Sequence, residues 1–167
     1  MSTNKQTLYE QLLPQLEALV EGETEEMSVL ANVAAALHTA LGTWWTGFYL
    51  VRHGELRLGP FQGPTACMHI ARGRGVCGTC WERGQSIVVP DVEQFPGHIA
   101  CSAASRSEIV VPIFDGNSRQ RNSAAVVGVL DIDSRQLGAF DTIDQVHLER
   151  VAALISSTLY TASSPQR

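Results

Sequence analysis

The hydrophobic period of the chain changes at one stretch, Trp45-Thr46-Gly47-Phe48-Tyr49-Leu50-Val51. Its odd and even positions alternate, and both sets contain aromatic residues, so we predict a β-strand that is covered on both faces. Upstream of it, apolar residues recur at helical spacing instead. The stretch therefore separates a helical front of the chain from a remainder that forms a sheet.

Two helices are predicted upstream of this strand. Thr7 and Glu10 fit a capping box for the first helix. Pro14 is expected to kink that helix or to delay its start, and Gly22 is expected to end it. Thr24 is expected to cap the second helix, whose apolar positions form one stripe. These two amphipathic helices predict a layer that lies across a sheet.

Short strands and turns are predicted downstream. His53-Gly54 forms a tight turn into a strand over 55–58, whereas 59–64 is too rich in Gly and Pro for a regular element. Residues 66–70 predict a short strand with Cys67 near its start. The remaining predicted elements are a short helix over 76–83 that Gly84 ends, and strands over 86–91, 107–114 and 124–130.

The end of the chain completes the predicted architecture. A polar surface turn is expected at 115–123, Asp141 is expected to cap the last helix, and 161–167 is expected to be a flexible tail. We therefore predict an α+β (mixed α/β) fold. Its central, mostly antiparallel sheet would carry the N- and C-terminal helices on one face, in a single domain over 1–167 with a core at about 24–160.

Composition excludes several classes of protein. The 167 residues are 44% hydrophobic and 17% charged, which is typical of a globular domain. A net charge of −5 argues against general binding to nucleic acid or to an anionic membrane. There is neither an apolar run of about 20 residues nor a signal peptide, so we expect a cytoplasmic protein. Stable disulfides are rare in that compartment, and a disulfide there is more often transient and catalytic.

One cysteine has unusual sequence neighbours. Cys101 sits among small residues in 97–108, with His98 before it and Arg106 after it. Small neighbours leave backbone N–H groups accessible, and cationic neighbours lower the pKa of a thiol. Cys101 is therefore a candidate nucleophile, and an inert loop cysteine is the alternative.

The other cysteines and glycines give weaker signals. Cys77 and Cys80 form one CxxC, and without a second such pair a zinc site is not expected. Gly73, Gly75 and Gly78 fit a dinucleotide-binding pattern, but no βαβ unit surrounds them. We therefore predict neither a metal nor a dinucleotide cofactor.

Two carboxylates end the last predicted strand. Asp131 and Asp133 are two residues apart, so their side chains point to the same face. They could bind a metal ion, recognise an ammonium group or simply face water. Glu108, at the start of the neighbouring predicted strand, could join them. Three carboxylates in one pocket would repel one another, raising at least one pKa and leaving an acid that can donate a proton.

Six motifs in this order resemble the free methionine-(R)-sulfoxide reductase family, whose members have a GAF fold. They are Trp45-Thr46-Gly47-Phe48-Tyr49, Gly59-Pro60-Phe61-Gln62-Gly63, Gly73-Arg74-Gly75-Val76-Cys77-Gly78, Gly97-His98-Ile99-Ala100-Cys101, Ser107-Glu108-Ile109-Val110 and Gly128-Val129-Leu130-Asp131-Ile132-Asp133-Ser134. The resemblance implies a GAF-like domain that reduces the R epimer of free methionine sulfoxide. It also implies thioredoxin as the electron donor and no bound cofactor.

The resemblance assigns roles to the cysteines. Cys101 matches the catalytic cysteine, which would become a sulfenic acid, and Cys67 matches the cysteine that resolves it as a disulfide. Cys77 matches a third family cysteine whose part is less defined. Cys80 lies outside the motifs, as a bystander or as a partner of Cys77, and we favour the bystander.

The resemblance also assigns a substrate pocket. Glu108, Asp131 and Asp133 match a carboxylate cluster that would hold the substrate ammonium and protonate the sulfoxide. Trp45 matches an indole against the substrate methyl group, and Tyr49 would form a wall of the same pocket. A homodimer through the front and last helices is a candidate assembly.

Two other classes of function remain open. A non-catalytic GAF module would bind a small ligand such as a cyclic nucleotide and signal to an attached domain. The sequence ends after its last predicted helix, so we expect no such output domain. A thiol-based redox sensor would use the same cysteines without turnover.

Overall fold

The computed structural model describes residues 2–99 and 103–161 of the chain. The predicted nucleophile Cys101 and nearly all of the predicted tail, 162–167, lie outside the described residues. Within the described part, no helix combines the length and the apolarity that crossing a membrane requires.

The described residues contain four α-helices and six strands. The helices are α1 (Ser2–Val20), α2 (Glu26–Leu41), α3 (Gly75–Arg83) and α4 (Thr142–Leu159). The strands are β1 (Trp45–Arg52), β2 (Glu55–Gln62), β3 (His69–Ile70), β4 (Ile87–Val89), β5 (Ser107–Phe114) and β6 (Val126–Ser134).

The six strands form one sheet in the order β3-β2-β1-β6-β5-β4. Every neighbouring pair is antiparallel, which confirms and sharpens the predicted mostly antiparallel sheet. The helices α1, α2 and α4 cover one face, where their apolar side chains pack against Phe48 and Leu130. The opposite face carries α3, which packs with Trp45 and Tyr49. The helices at the two ends of the chain share one face as predicted, and α3 adds a third layer.

The first two helices begin differently from the prediction. Because α1 starts at Ser2, Thr7 lies inside it rather than at its cap, and the helix continues through Pro14 instead of starting late. Buried Tyr9 and Leu16 flank the proline and pack into the same core, so tertiary packing overrides the local cost of proline. The N-cap position of α2 is Glu25, and not Thr24 as predicted.

The prediction of an irregular segment over 59–64 is wrong for most of that range, because β2 continues to Gln62. The register explains how: Gly47 pairs with Phe61 and Tyr49 with Leu58, so two residues of β2 lie opposite one residue of β1. A bulge of this kind accommodates proline, which has no N–H for the ladder.

The strand predicted over 66–70 is shorter than expected. Only His69 and Ile70 pair with β2, and Cys67 lies in the preceding loop rather than near the start of a strand. This places Cys67 in the segment that joins β2 to β3, over 63–68.

The last helix begins as predicted. The Asp141 side chain accepts from the N–H groups of Ile143 and Asp144, and the Asp144 side chain accepts from the Asp141 N–H, which completes a capping box. Asp144 also accepts hydrogen bonds from Tyr9 and Lys5 of α1. The two ends of the chain are therefore joined by a buried polar contact.

Candidate active site

A cleft on the α3 face lies over the ends of β1, β5 and β6. Its lining includes Trp45, Tyr49, Cys77, Glu108, Asp131 and Asp133, together with residues of the 63–68 loop and with His98, Ile99 and Ser105. The structure thus brings together every predicted site residue except Cys101, which lies outside the described residues, and Cys67, which lies in the 63–68 loop beside the lining residue Ala66.

The sheet register builds the carboxylate cluster. Glu108 on β5 lies opposite Asp133 on β6, and Asp133 lies opposite Trp45 on β1. Residues directly opposite one another share a face of an antiparallel sheet. Asp131 is two residues from Asp133 and shares that face. Three carboxyl groups and an indole therefore occupy neighbouring sites above the sheet.

Burial changes the ionisation of this cluster. Glu108 and Asp131 are each 6% exposed. Loss of water raises the pKa of both carboxyl groups well above the ordinary range, and charge repulsion from Asp131 on Glu108, and from Asp133 on Asp131, adds to it. Burial raises the pKa of Asp133 to about 6. Raised pKa values were predicted from repulsion, and desolvation is the larger cause.

Asp131 has one satisfied side and one open side. Hydrogen bonds to Glu108 and Cys77 act on its carboxyl group. Its Oδ1 atom is buried and has no hydrogen-bond partner among residues 2–99 and 103–161. A buried polar atom left unpaired costs about 1–3 kcal/mol, so a group that donates to it from the cleft would be stabilised. The alternative in which this strand end faces water is wrong for Asp131.

Asp133 is held by a residue that the sequence did not single out. Ser105 donates its hydroxyl to Asp133 Oδ1, and this bond lowers the pKa of the carboxyl group against the effect of burial. His98 lines the same cleft, with Nε2 3.8 Å from Glu108 Oε2. Burial lowers the pKa of His98 and raises the pKa of Glu108, so both shifts favour the uncharged forms of this pair.

Aromatic rings form the apolar wall. Trp45 stacks on Tyr49 with ring centroids 5.9 Å apart and on Phe61 at 5.3 Å. Gly47, between Trp45 and Tyr49 on β1, makes room for this stack, because a Cβ there would lie 2.6 Å from the Trp45 ring. The cleft thus offers carboxyl groups on one side and an indole face on the other.

The described cysteines differ in state. Cys67 takes part in a disulfide, whereas Cys77 and Cys80 are free thiols. Burial, followed by the charges of Asp131 and Glu108, raises the pKa of both thiols. Cys77 faces the cleft, and Cys80 donates weakly to the Val110 carbonyl at 3.8 Å. Cys77 and Cys80 are thus not bonded to each other in this structure, and the bystander role of Cys80 stays a prediction.

Three side chains that could bind a metal ion also lie close together. Cys77 Sγ and carboxyl oxygens of Glu108 and Asp131 lie within 4.8 Å of one another. A thiol ligates metal as its thiolate, and burial favours the protonated form of Cys77. The aromatic wall beside the cluster favours an organic cation with an apolar body over a bare ion.

The fold and the cleft define a GAF-domain protein, and the GAF domain model matches residues 26–159. A GAF domain-containing protein A of Dictyostelium discoideum is 50% identical over 92% of this chain and 94% of its own length. The free methionine-R-sulfoxide reductase of Escherichia coli is 44% identical over 95% of this chain and 92% of its own. The chain therefore belongs to the free methionine-R-sulfoxide reductase family, and it is an oxidoreductase.

A solved structure agrees with this assignment. The free methionine-R-sulfoxide reductase of Neisseria meningitidis, in complex with its substrate, has a TM-score of 0.86 and is 48% identical. The match covers 92% of this chain and 89% of that one.

Proposed function

We propose that this protein reduces free L-methionine-(R)-sulfoxide to L-methionine, with Cys101 as the attacking thiolate. The proposal is supported most by Asp131 Oδ1, which is buried and has no partner in the described part of the chain, in a cleft whose other wall is the Trp45 indole. An ammonium group would pair with the carboxyl side, and a methyl sulfoxide would lie against the ring.

The raised pKa values suggest that the three carboxyl groups have different roles. Asp133, with a pKa of about 6, is mostly ionised at neutral pH and would hold the ammonium. Glu108 and Asp131 hydrogen-bond each other and favour their protonated forms. We propose that they supply the proton to the sulfoxide oxygen.

The proposed reaction uses two thiols of this chain and one external dithiol as the electron donor. Cys101 thiolate attacks the sulfoxide sulfur, the oxygen takes a proton and passes to Cys101, and methionine leaves with a Cys101 sulfenic acid behind. The Cys67 thiol then displaces water from the sulfenic acid to form a disulfide. A reduced dithiol protein, which we propose is thioredoxin, reopens this disulfide by exchange and is itself oxidised.

The state of the described cysteines supports this pairing. Cys67 is disulfide-bonded while Cys77 and Cys80 are free, which is what a Cys67–Cys101 bond requires. The cycle needs a compartment that keeps dithiol proteins reduced, so we propose a cytoplasmic location.

The assignment of the substrate is tested by thioredoxin-coupled oxidation of NADPH. We would compare free L-methionine-(R)-sulfoxide, its S epimer, and an R epimer with acetylated nitrogen and amidated carboxylate. Turnover of the free R epimer alone is expected. Turnover of the capped analogue at a similar rate would contradict recognition of the ammonium, and no turnover of any substrate would favour a ligand-binding module or a redox sensor.

Single substitutions test the assignment of the cysteines. Cys101→Ser is expected to release no methionine. Cys67→Ser is expected to release about one methionine per enzyme in a single turnover and then stop, because the sulfenic acid cannot be resolved. The reverse pattern would exchange the two roles.

We also propose a homodimer through the helical layer. Leu19 of α1, Met27 of α2 and Val146 of α4 are large apolar side chains that are 41%, 76% and 55% exposed. Analytical ultracentrifugation tests this, and replacing Met27 with Glu is expected to shift a dimer toward monomer.

A further inference from the structure

The 63–68 loop is fastened to β1 at two points. Trp45 Nε1 donates to the Pro64 carbonyl at 3.1 Å, and the Tyr49 hydroxyl donates to the Cys67 carbonyl at 3.0 Å. The loop residues between these points, Thr65 and Ala66, line the cleft. Two side chains of the substrate wall therefore hold the segment that carries Cys67.

Both donor side chains are buried, and the two bonds are part-buried. Trp45 is 4% exposed and Tyr49 is 2% exposed. A buried hydroxyl that loses its acceptor pays a desolvation penalty, so the tyrosine favours the position in which Cys67 accepts its bond. The stacking of Trp45 on Tyr49 keeps the two donors at a constant separation.

The disulfide of Cys67 also restrains the loop, and further restraints lie at its ends. The Leu58 N–H donates to the Met68 carbonyl at 3.1 Å, and β3 follows with only two residues. At the other end, Gly63 has φ +127°, a backbone conformation that side chains disfavour. The 64–67 stretch belongs to neither a helix nor a strand, and the hydrogen bonds from β1 hold it at Pro64 and at Cys67.

We propose that Tyr49 is a positioning residue for Cys67, which sets the rate at which the Cys101 sulfenic acid is resolved. The inference rests on the proposed function. In that step the Cys67 thiol loses its proton, its sulfur bonds to the Cys101 sulfur, and water leaves with the sulfenic oxygen. The rate of such an intramolecular step depends on how often the thiol stands within reach, and a misplacement of 1 Å can cost about 100-fold.

Tyr49→Phe tests this proposal because it removes the hydroxyl and keeps the ring of the substrate wall. In single turnover with free L-methionine-(R)-sulfoxide, the first methionine release is expected to slow less than disulfide formation does, because the ring of the substrate wall is kept. Disulfide formation is expected to slow by about 10- to 100-fold. Dimedone, which traps sulfenic acids, is expected to label the variant more than the wild type.

The matched control is Tyr9→Phe. Tyr9 is also a buried tyrosine, and its hydroxyl donates to Asp144 on the opposite face of the sheet. This variant controls for loss of a buried hydroxyl, and it is expected to resolve the sulfenic acid at the wild-type rate. If Tyr49→Phe unfolds, Trp45→Phe removes the other bond of the loop and is measured in the same way.

The outcomes separate this inference from the proposed function. Resolution at the wild-type rate in Tyr49→Phe overturns the inference, as does an equal slowing in Tyr9→Phe. Loss of the first methionine release in Tyr49→Phe also overturns it, since the hydroxyl would then act on the substrate. Hydrogen peroxide converts a thiolate to a sulfenic acid without any sulfoxide, so the same comparison with peroxide holds even if methionine sulfoxide proves not to be reduced.

Discussion

Glu108 and Asp133 lie directly opposite each other on β5 and β6. Like charges at such a pair destabilise a sheet, and here both carboxyl groups are also removed from water. The two carboxyl groups that would serve substrate recognition therefore destabilise the folded protein.

This pair predicts how stability depends on pH. The pKa of Asp133 is about 6 in the folded protein against 3.8 ordinarily, so between these values the folded state binds more protons than the unfolded state. The free energy of unfolding should therefore fall as pH rises from about 4 through 6, by at most about 1.4 kcal/mol per pH unit for one proton. Urea unfolding at each pH measures this slope.

The variant Asp133→Asn has no carboxyl group at this position, so its free energy of unfolding should fall less steeply between pH 4 and 6. Asp115→Asn, on the polar loop after β5, is a matched control that should retain the wild-type slope. An unchanged slope in Asp133→Asn would show that Asp133 does not titrate as described.

Asp131→Asn should slow reduction of the sulfoxide. The amide retains the shape of the carboxyl group but cannot give a proton to the sulfoxide oxygen, a role that contributes about 10²- to 10⁴-fold in rate. We expect kcat/KM to fall about 100-fold in the coupled assay with the free R epimer. A fall of less than 2-fold would remove Asp131 from the site.

Gly47→Ala should displace the indole. The added Cβ would lie 2.6 Å from Cη2 and 2.9 Å from Cζ3 of Trp45, and overpacking of this kind costs about 1–3 kcal/mol. We expect a lower urea midpoint together with a higher KM, because the Trp45 ring leaves its place against the substrate. A stability loss without a change in KM would show that the ring position is not critical for binding.

Cys80→Ala should leave turnover intact. Cys80 is fully buried behind the cleft, and its thiol makes only a weak contact with the Val110 carbonyl. We expect a loss of about 1 kcal/mol in the free energy of unfolding and a thioredoxin-coupled rate within 2-fold of wild type. A loss of turnover in a folded variant would give Cys80 a redox part.

Local sequence patterns predicted much of the fold. The alternation in 129–133 correctly placed Asp131 and Asp133 on one face, and Asp141 correctly marked the start of α4. Both signals depend on residues within four positions of each other, so the sequence alone contains them.

Features that depend on distant partners were missed. The length of β2 depends on pairing with β1 across a bulge, and a run of Gly and Pro gives no sign of that pairing. Ser105 reaches Asp133 across 28 positions of the chain, and the bond from Tyr49 to the Cys67 carbonyl likewise needs the folded sheet. Residues that support a site through tertiary contact carry no local pattern.

The bulge in β2 has a consequence for how molecules of this protein behave at high concentration. Among the described residues, β3 pairs with β2 only at Leu56 and Arg57, and the Leu58 N–H donates to the Met68 carbonyl. The part of β2 beyond Leu58 is therefore a sheet edge without a neighbouring strand in the described part of the chain, onto which another molecule could add a strand. Pro60 offers no N–H there, and the extra residue twists the strand away from flat pairing. At the far side, β4 has only three residues. The same irregularity that brings Phe61 against Trp45 thus protects the sheet from edge-to-edge aggregation.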